Sequence, residues 1–344
     1  MSTPANIREL LLGFGYRKQS AIGVANIVGD IWRLNKLNAA ILNPKPVTED
    51  DAAELGKGHE FPTATYPSHW EIGPHTMEKY LSSEIIAWAA GFTLGHCDKT
   101  GTTPNFIYTC TPTVPVTDGI ELPYFSYIEK IRPTEIVTDK MFVGCAVEDF
   151  LVTLATGPGR ANSKITINFI GSGKNTDPSG ITLPDKITEK ELPGASLALT
   201  IIGVDYVTPK DIVSLEWGWK NNLRADAGFF PGSGSQDGYA IRGRMEHGNR
   251  EGILRFTVRF KYGSLEYTKL KESTTGTAVI TQTYGANDTY TATFHQLGFR
   301  SVDLGETDGV VTVAVEGSAQ YHSSNGVLTV VAKTVHDNIC QAPA

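Results

Sequence analysis

The sequence predicts an all-β protein, an antiparallel β-sandwich or barrel with one flanking α-helix and long loops. From residue 141 onward, apolar side chains alternate with polar ones in many short segments, which is the period of a strand with one buried face. Only one convincing helical pattern accompanies these segments. Strands and helices also do not alternate, as they would around a parallel sheet. These observations together favour antiparallel strands.

Composition limits the class of protein. The 344 residues carry 30 Lys and Arg against 37 Asp and Glu, a formal net charge of −7. Hydrophobic residues make up 40% and charged residues 19% of the chain, which excludes a collagen-like or intrinsically disordered protein. The acidic balance disfavours a protein that grips nucleic acid through its phosphates, because such binding needs clustered Lys and Arg. It does not exclude a protein that lets DNA slide past.

Three sequence features bear on the cellular environment. The longest apolar stretch, 85–94, is shorter than the roughly 18–20 residues of a membrane span. The run 10–14 lacks the length and the cleavage site of a secretion signal, so we expect neither a membrane segment nor export. The four cysteines show no CxxC spacing, which predicts reduced, mostly buried thiols rather than a disulfide framework or a zinc ribbon.

Proline and capping patterns organise the N-terminal part. We expect residues 1–130 to form an N-terminal arm, proline-rich loops, the flanking helix and the first strands, and residues 131–344 to complete one β-sandwich unit. Thr48, followed by three acids and ended by Gly56, predicts a short exposed helix. Apolar residues spaced three and four apart predict an amphipathic helix at 76–90.

Strand patterns fill the remainder of the chain. The clearest is 254–262, where the apolar residues share one face and Arg255, Arg259 and Lys261 share the other. The other predicted strands are 141–156, 165–169, 197–206, 213–219, 289–297, 310–316 and 327–333. The regions 141–173 and 213–260 each resemble a long hairpin, and an internal duplication stays an open alternative.

The motifs for common active sites are incomplete. The segment 171–174, Gly-Ser-Gly-Lys, lacks the flanking Gly and Ser or Thr of a phosphate loop and does not open a helix. The Gly/Ser run 232–235 is not a nucleophile elbow. Four histidines in the first hundred residues do not have metal-ligand spacing; they are His59, His69, His75 and His96, the last next to Cys97.

One carboxylate remains as a catalytic candidate. Glu216 lies between Leu215 and Trp217 on a predicted strand that also carries Trp219, and aromatic platforms bind sugars. A glycoside hydrolase needs two carboxylates across a cleft, and only one stands out. The cations of 254–262 are typical of a solvated face or of partners for acids on a neighbouring strand. We therefore expect a structural or binding protein with no catalytic residues, cofactor or metal.

Several segments occur in the same order as in a known family. The chain resembles the tail tube (major tail) proteins of long-tailed bacteriophages at 16–23, 122–126, 143–147, 165–174, 215–223, 232–235, 241–246 and 253–261. The first segment is Tyr-Arg-Lys-Gln-Ser-Ala-Ile-Gly, in which Gln19 stands where an acid is common, and the fifth ends Lys-Asn-Asn-Leu. The proline-rich stretch 44–75 is longer than a minimal tube domain needs.

The resemblance implies a virion protein that assembles in the host cytoplasm. Its subunits would form rings, usually of six, that stack into a hollow tube through which DNA passes, with the helix packed outside the sandwich. A duplicated chain would instead allow a ring of three. The implied partners are further copies, the tape-measure protein and the tail terminator or distal tail proteins, with no membrane, and the family favours an unsheathed tail. We expect Phe61, Tyr66 and Trp70 to contact a neighbouring ring.

Two alternatives from other classes remain open. A carbohydrate-binding β-sandwich, either a phage receptor-binding module or an adhesin, would use Trp217, Trp219 and Glu216 near the sugar. A glycoside hydrolase would lose turnover when Glu216 is replaced by glutamine. The tail tube hypothesis predicts only self-assembly.

Overall fold

The computed structural model describes residues 10–26, 28–34, 37–38, 41–51, 64–131, 140–155, 162–176, 182–207, 212–224, 228–261, 265–307 and 309–341. Within these ranges the protein is mainly β, with large antiparallel sheets and three α-helices, which confirms the predicted fold class. Of the helices described, none has the combination of length and hydropathy that crossing a bilayer requires.

The strands account for most of the described residues. The first are β1 (Leu10–Gly15), β2 (Ile31–Leu34), β3 (Lys45–Asp50), β4 (Thr65–Glu71), β5 (His75–Tyr80), β6 (Gly95–Thr102), β7 (Asn105–Pro112), β8 (Phe125–Ile131), β9 (Lys140–Ala155), β10 (Lys164–Ile170) and β11 (Asn175–Thr176). The remaining ones are β12 (Ala198–Ile201), β13 (Val204–Asp205), β14 (Ile212–Lys220), β15 (Ser235–Gln236), β16 (Tyr239–Ala240), β17 (Glu251–Arg259), β18 (Thr275–Thr283), β19 (Thr289–Thr307), β20 (Val310–Gln320) and β21 (Leu328–Thr334). The helices are α1 (Ser83–Leu94), α2 (Pro115–Asp118) and α3 (Glu266–Lys271).

Two long strands, β9 and β19, each change pairing partners along their length. The first half of β19 pairs with β18 and β21, which extend through β12 and β7 to the outer strands β13 and β6. Its second half pairs with β20, which leads through β17, β14, β9 and β10 to β5. The first half of β9 joins a third group through β8, β1 and β2. We call the series β19-β20-β17-β14-β9-β10-β5 the ladder sheet.

Register shifts coincide with the places where these strands change partners. The pairing of β10 with β9 shifts after Asn168, and that of β19 with β20 shifts between Phe299 and Ser301. An extra residue in one strand bends it and increases its twist, which lets a single strand turn from one set of partners to the next. Strands from both sides of residue 131 also pair with each other, as β5 does with β10 and β7 with β21.

Helix α1 lies in the core instead of on the outside. It begins at Ser83, directly after the N-cap Ser82. Residues 76–80 of the helix predicted at 76–90 belong to β5 instead. Every residue of α1 is buried, so the expectation of an amphipathic flanking helix is wrong in this respect. The helix contacts β21 and β7 on one side and β9 and β14 on another. A helix that is apolar around its whole circumference is stable only when it is covered on all sides.

The one acid of α1 is buried with it. Thr334 donates a hydrogen bond of 2.5 Å to Oε1 of Glu84, whereas Oε2 of the same carboxyl has no hydrogen-bond partner among the described residues. Removal from water raises the pKa of Glu84 above its ordinary value of 4.5, because burial disfavours the charged form.

The second predicted helix is a strand. Thr48, Glu49 and Asp50 belong to β3, which pairs with β4, so the helix predicted to begin at Thr48 is wrong there; residues 52–56 lie outside the described residues. Pro46 lies opposite Trp70, and Val47 lies opposite His69. The pairing partner is some twenty residues away, and these cross-strand contacts outweigh the local capping signal. Strands β3, β4, β16 and β15 form a small separate sheet.

Candidate functional site

The ladder sheet has one buried and one open face. Along β17 and β14, Leu254, Phe256, Leu215 and Trp217 point into the core, and the residues between them point to the opposite face. This alternation confirms the period-two prediction for both strands. The open face holds a shallow concavity of about 660 Å³ lined largely by polar residues.

A row of polar side chains crosses the open face from strand to strand. We call it the polar ladder; in register order it consists of Lys164, Thr153, Glu216, Arg255, Glu316 and Ser301. Directly opposed residues on neighbouring strands are close enough to interact, so each rung contacts the next. The ladder thus spans six strands without an apolar interruption.

The cations of the ladder are paired with acids. Nη1 of Arg255 lies 2.7 Å from a carboxylate oxygen of Glu216, and Nη2 lies 3.3 Å from one of Glu316. These contacts raise the pKa of the Arg255 guanidinium, and the hydrogen bond with Glu216 contributes most. Lys164 is likewise 2.7 Å from Glu78 on β5. Pairing with acids on neighbouring strands was one of the two interpretations offered for these cations, and it is confirmed for Arg255.

The residues suggested for sugar binding are not arranged for it. Trp217 and Trp219 are almost completely buried, and the Trp217 ring lies between Phe150 and Tyr290 with centroid distances of 5.6 Å to each. Neither indole can offer a face to a ligand, so the predicted aromatic platform is wrong. Glu216 does face solvent, but its carboxylate is bound by Arg255.

One border of the ladder sheet lacks a strand partner. Among the described strands, the second half of β19 pairs only with β20, so the backbone groups on its other side have no strand to bond. At the opposite border, residues 37–38 cover part of β5: Leu37 N–H donates to Glu78 and the Asn38 amide to Thr76. Such an unpaired strand is a template for pairing with another chain.

Exposed apolar residues adjoin this open border. Phe260, Val311 and Leu304 continue the buried faces of β17, β20 and β19 beyond the end of the core, and Tyr267 of α3 lies beside them. Leu304 and Tyr267 are 70% and 69% exposed, and a groove of about 410 Å³ runs between them. We call these four residues the end patch. Contiguous exposed apolar side chains of this kind mark interaction surfaces.

The residues expected between rings have different surroundings. Phe61 lies outside the described residues. Tyr66 is 56% exposed on β4 and is available to a partner. Trp70 is half-buried: its indole N–H donates to the Gln236 carbonyl at 3.2 Å, and its ring lies 5.4 Å from that of Tyr239. Trp70 therefore packs on its own chain.

Segments that carried the family resemblance converge around one buried glutamine. The Gln19 amide donates to the Ser126 hydroxyl at 2.7 Å, and its oxygen accepts the Gly144 N–H at 3.1 Å. Gly144 has φ of +69°, and a Cβ there would lie 2.3 Å from the Ile22 carbonyl, so only glycine fits. A carboxylate in place of the Gln19 amide could not donate to Ser126.

A second convergence involves the Asn-Asn-Leu segment. Asn221 is fully buried at the end of β14, where its amide donates to Thr93 at 2.8 Å and to Val147 at 3.3 Å. Its oxygen accepts the Trp219 indole N–H at 3.0 Å. One side chain thus ties the end of α1 to β9 and β14. Sequence reasoning singled out the motif but assigned no role to Asn221.

The other motifs serve local structure. In the segment 171–174, the Ser172 hydroxyl donates to Val143 at 2.6 Å and the Lys174 ammonium donates to Gly23 at 2.8 Å, so this lysine already has a partner. His75 is buried against aromatic rings, and His96 lies 3.0 Å from Asp98. Within the described ranges, no group of three or more His, Cys, Asp or Glu is arranged to hold a metal ion.

Three surface features stand out among the described residues: the polar ladder, the open border of β19 and the end patch. No protein-family model matches the sequence, and no curated protein matches it.

Proposed function

We propose that this chain is a structural subunit that assembles with its own copies into stacked rings, which form the hollow tail tube of a long-tailed bacteriophage. The ladder sheet carries the proposal, because it combines an open, ion-paired face with an unpaired border and an apolar patch at the same end. The tape-measure protein and the tail terminator or distal tail proteins are further partners under this proposal.

The open face suits the wall of a DNA channel. A channel wall must not hold phosphates, and clustered free cations would do so. On the ladder, Arg255 is flanked by Glu216 and Glu316, and Lys164 is paired with Glu78. The chain as a whole carries a formal charge of −7, which repels a polyanion. In the proposed tube, this face lines the lumen.

The open border and the end patch suit the contact between neighbouring subunits. A head-to-tail contact between identical chains closes into a ring when the rotation per subunit allows it. The border of β19 offers unpaired backbone groups, and the end patch offers apolar area that water otherwise covers. A neighbouring copy would satisfy both at once, which is how a ring removes the edge strands of its subunits.

In this proposal the β3–β4 hairpin makes the contacts between rings. This hairpin belongs to the small separate sheet, and most of its side chains are exposed. Tyr66 is the residue on it that remains available, since Trp70 is occupied by its own chain. A large exposed aromatic ring is a typical anchor for such an interface.

Negative-stain electron microscopy over a protein concentration series tests the proposal. Stacked rings or tubes are the expected result, and end-on views would distinguish rings of six from rings of three. Small closed particles or monomers at every concentration, also by sedimentation velocity, would overturn it. A glycan array would then test the carbohydrate-binding alternative.

A matched pair of variants tests the end patch. Val311→Glu places a charge in the patch, where the valine is 51% exposed, and we expect it to abolish rings. Val116→Glu makes the same change on α2, where the valine is 94% exposed and outside the patch, and we expect normal assembly. Equal assembly of both variants would contradict the assigned interface.

A further inference from the structure

Three of the four cysteines lie together beside α1. Cys97 on β6 is directly opposite Cys110 on β7, and their Sγ atoms are 2.9 Å apart. Cys340, in the C-terminal segment, lies next to the same turn of α1 as Cys97. A Cβ built on Gly91 of that helix would be 2.4 Å from Cys340 Sγ and 3.3 Å from Cys97 Cβ. All four cysteines are free thiols, and Cys145 is buried elsewhere, in β9.

The register of the β6–β7 hairpin brings Cys97 and Cys110 unusually close. The Thr113 N–H donates to the Leu94 carbonyl at 2.9 Å, so Leu94 and Thr113 form a hydrogen-bonded pair. Hydrogen-bonded and non-hydrogen-bonded pairs alternate along antiparallel strands, so the next pair, Gly95 and Pro112, is non-hydrogen-bonded. Cys97 and Cys110 are two positions further along an unbroken register and belong to the same class. Non-hydrogen-bonded pairs have Cα atoms about 4.5 Å apart. That spacing falls within the roughly 4.4–6.8 Å range of disulfides.

The three thiols differ in access to solvent. Cys97 is half-buried, whereas Cys110 and Cys340 are fully buried, so a small oxidant reaches Cys97 first. The hydrogen bond with Cys110 raises the pKa of Cys97, which keeps it a protonated thiol at neutral pH. Reaction is consequently slow with mild oxidants, and proximity rather than thiolate reactivity favours bond formation.

We propose that Cys97 and Cys110 form an oxidation site that closes a cross-strand disulfide when the protein meets a peroxide. Hydrogen peroxide transfers one oxygen to Cys97 Sγ, which gives a sulfenic acid and releases one water. Cys110 Sγ then attacks Cys97 Sγ and displaces the hydroxyl, which leaves with the Cys110 proton as a second water. Two thiols lose two electrons in total, and one peroxide gains them.

Cys110 is preferred over Cys340 as the partner because the strand register already holds it opposite Cys97. The sulfur atoms need to approach by only about 1 Å to reach the roughly 2.05 Å of a bond. The disulfide would fasten β6 to β7, the only described strand with which β6 pairs. A border strand of the sheet would then be held covalently.

Trypsin separates the four cysteines, which makes the test direct. Cleavage after lysine and arginine places Cys97 in peptide 80–99, Cys110 in 100–130, Cys145 in 141–160 and Cys340 in 334–344. The full chain is treated with hydrogen peroxide, the remaining thiols are blocked with N-ethylmaleimide, and the non-reduced digest is read by mass spectrometry. Total thiols are counted on the denatured protein.

The expected result is a cross-link between 80–99 and 100–130, with thiols falling from four to two and peptide 141–160 alkylated. The Cys145→Ala variant should give the same cross-link, and Cys97→Ala should give none. Four surviving thiols under conditions that fully oxidise glutathione would overturn the proposal, and so would a cross-link to 334–344. The wild-type peptide map decides the matter even if a variant fails to fold. No assembly is required, so this result is independent of the proposed function.

Discussion

Replacing Gly91 with alanine tests how closely the C-terminal segment packs on α1. A Cβ at this position would lie 2.4 Å from Cys340 Sγ and 3.2 Å from Cys340 Cβ. The sulfur cannot move away easily, because the next residue is fixed: Gln341 N–H donates to Tyr16 at 3.0 Å, and Lys18 N–H donates to Gln341 at 2.9 Å. The substitution therefore forces either the helix or the segment to shift.

The magnitude follows from two opposing effects. Overpacking of a core costs about 1–3 kcal/mol. Alanine regains about 1 kcal/mol over glycine within a helix. We expect a net loss of about 1 kcal/mol in the free energy of unfolding. In the Cys340→Ala background the sulfur is absent and the nearest atoms are 3.2 and 3.3 Å away, so the same change should be neutral or stabilising. The coupling between the two sites is then about 1–2 kcal/mol.

Guanidinium unfolding of the four proteins in this cycle, followed by tryptophan fluorescence, measures the coupling. Denaturant is preferable to heat, since 1 kcal/mol in a chain of 344 residues shifts the melting temperature by only about 1–2 °C. If Gly91→Ala costs the same with and without the Cys340 sulfur, the packing argument is refuted.

Three further predictions concern charge and burial. Replacing Glu216 and Glu316 together with glutamine frees Arg255, so we expect binding of double-stranded DNA that weakens steeply with salt in fluorescence anisotropy; equally strong binding by the wild type would contradict the ion-paired face. Trp217→Ala removes a fully buried indole and should cost about 3–5 kcal/mol in denaturant unfolding, whereas an unchanged midpoint would be incompatible with its place in the core. Burial raises the pKa of Glu84 above 4.5, so the folded state holds the Glu84 proton more tightly than the unfolded state does. The stability that Glu84 contributes is therefore greatest below its unfolded-state pKa and is lost as the pH rises through its folded-state pKa. Glu84→Gln should accordingly raise the unfolding midpoint at pH 7 but not at pH 4, and an equal shift at both would disprove the titration.

Elements with a strong local period could be predicted from the sequence. The alternation in β17 and β14 predicted both strands and the side on which Glu216 lies, because a strand with one buried face has apolar residues at every second position. The sequence also predicted helix α1, but as an amphipathic helix on the outside of the sandwich, whereas every residue of it is buried. The spacing of its large residues indicated a stripe, yet Ala87, Ala90 and Gly91 fill the rest of its circumference with small apolar groups. The spacing of the large residues alone could not predict that the helix is covered on all sides by other elements.

The features that matter most for interaction could not be predicted. The polar ladder depends on Glu216, Arg255 and Glu316 sharing one register across three strands that lie up to 100 residues apart. The contact of Cys97 with Cys340 depends on where the chain end returns. No local pattern encodes either, since both are set by long-range pairing. The open border of β19 follows from the sheet order for the same reason.

The pairing of β7 with β21 also sets a delay during synthesis. Cys110 and Val330 are partners in that pairing, and they are 220 positions apart in the chain. At about 5–20 residues per second, the ribosome takes roughly 10–45 s to make the second strand after the first. Throughout this interval α1, which β21 covers in the finished protein, lacks part of its apolar cover. We therefore expect the yield in a cell to depend on chaperones that hold exposed apolar segments.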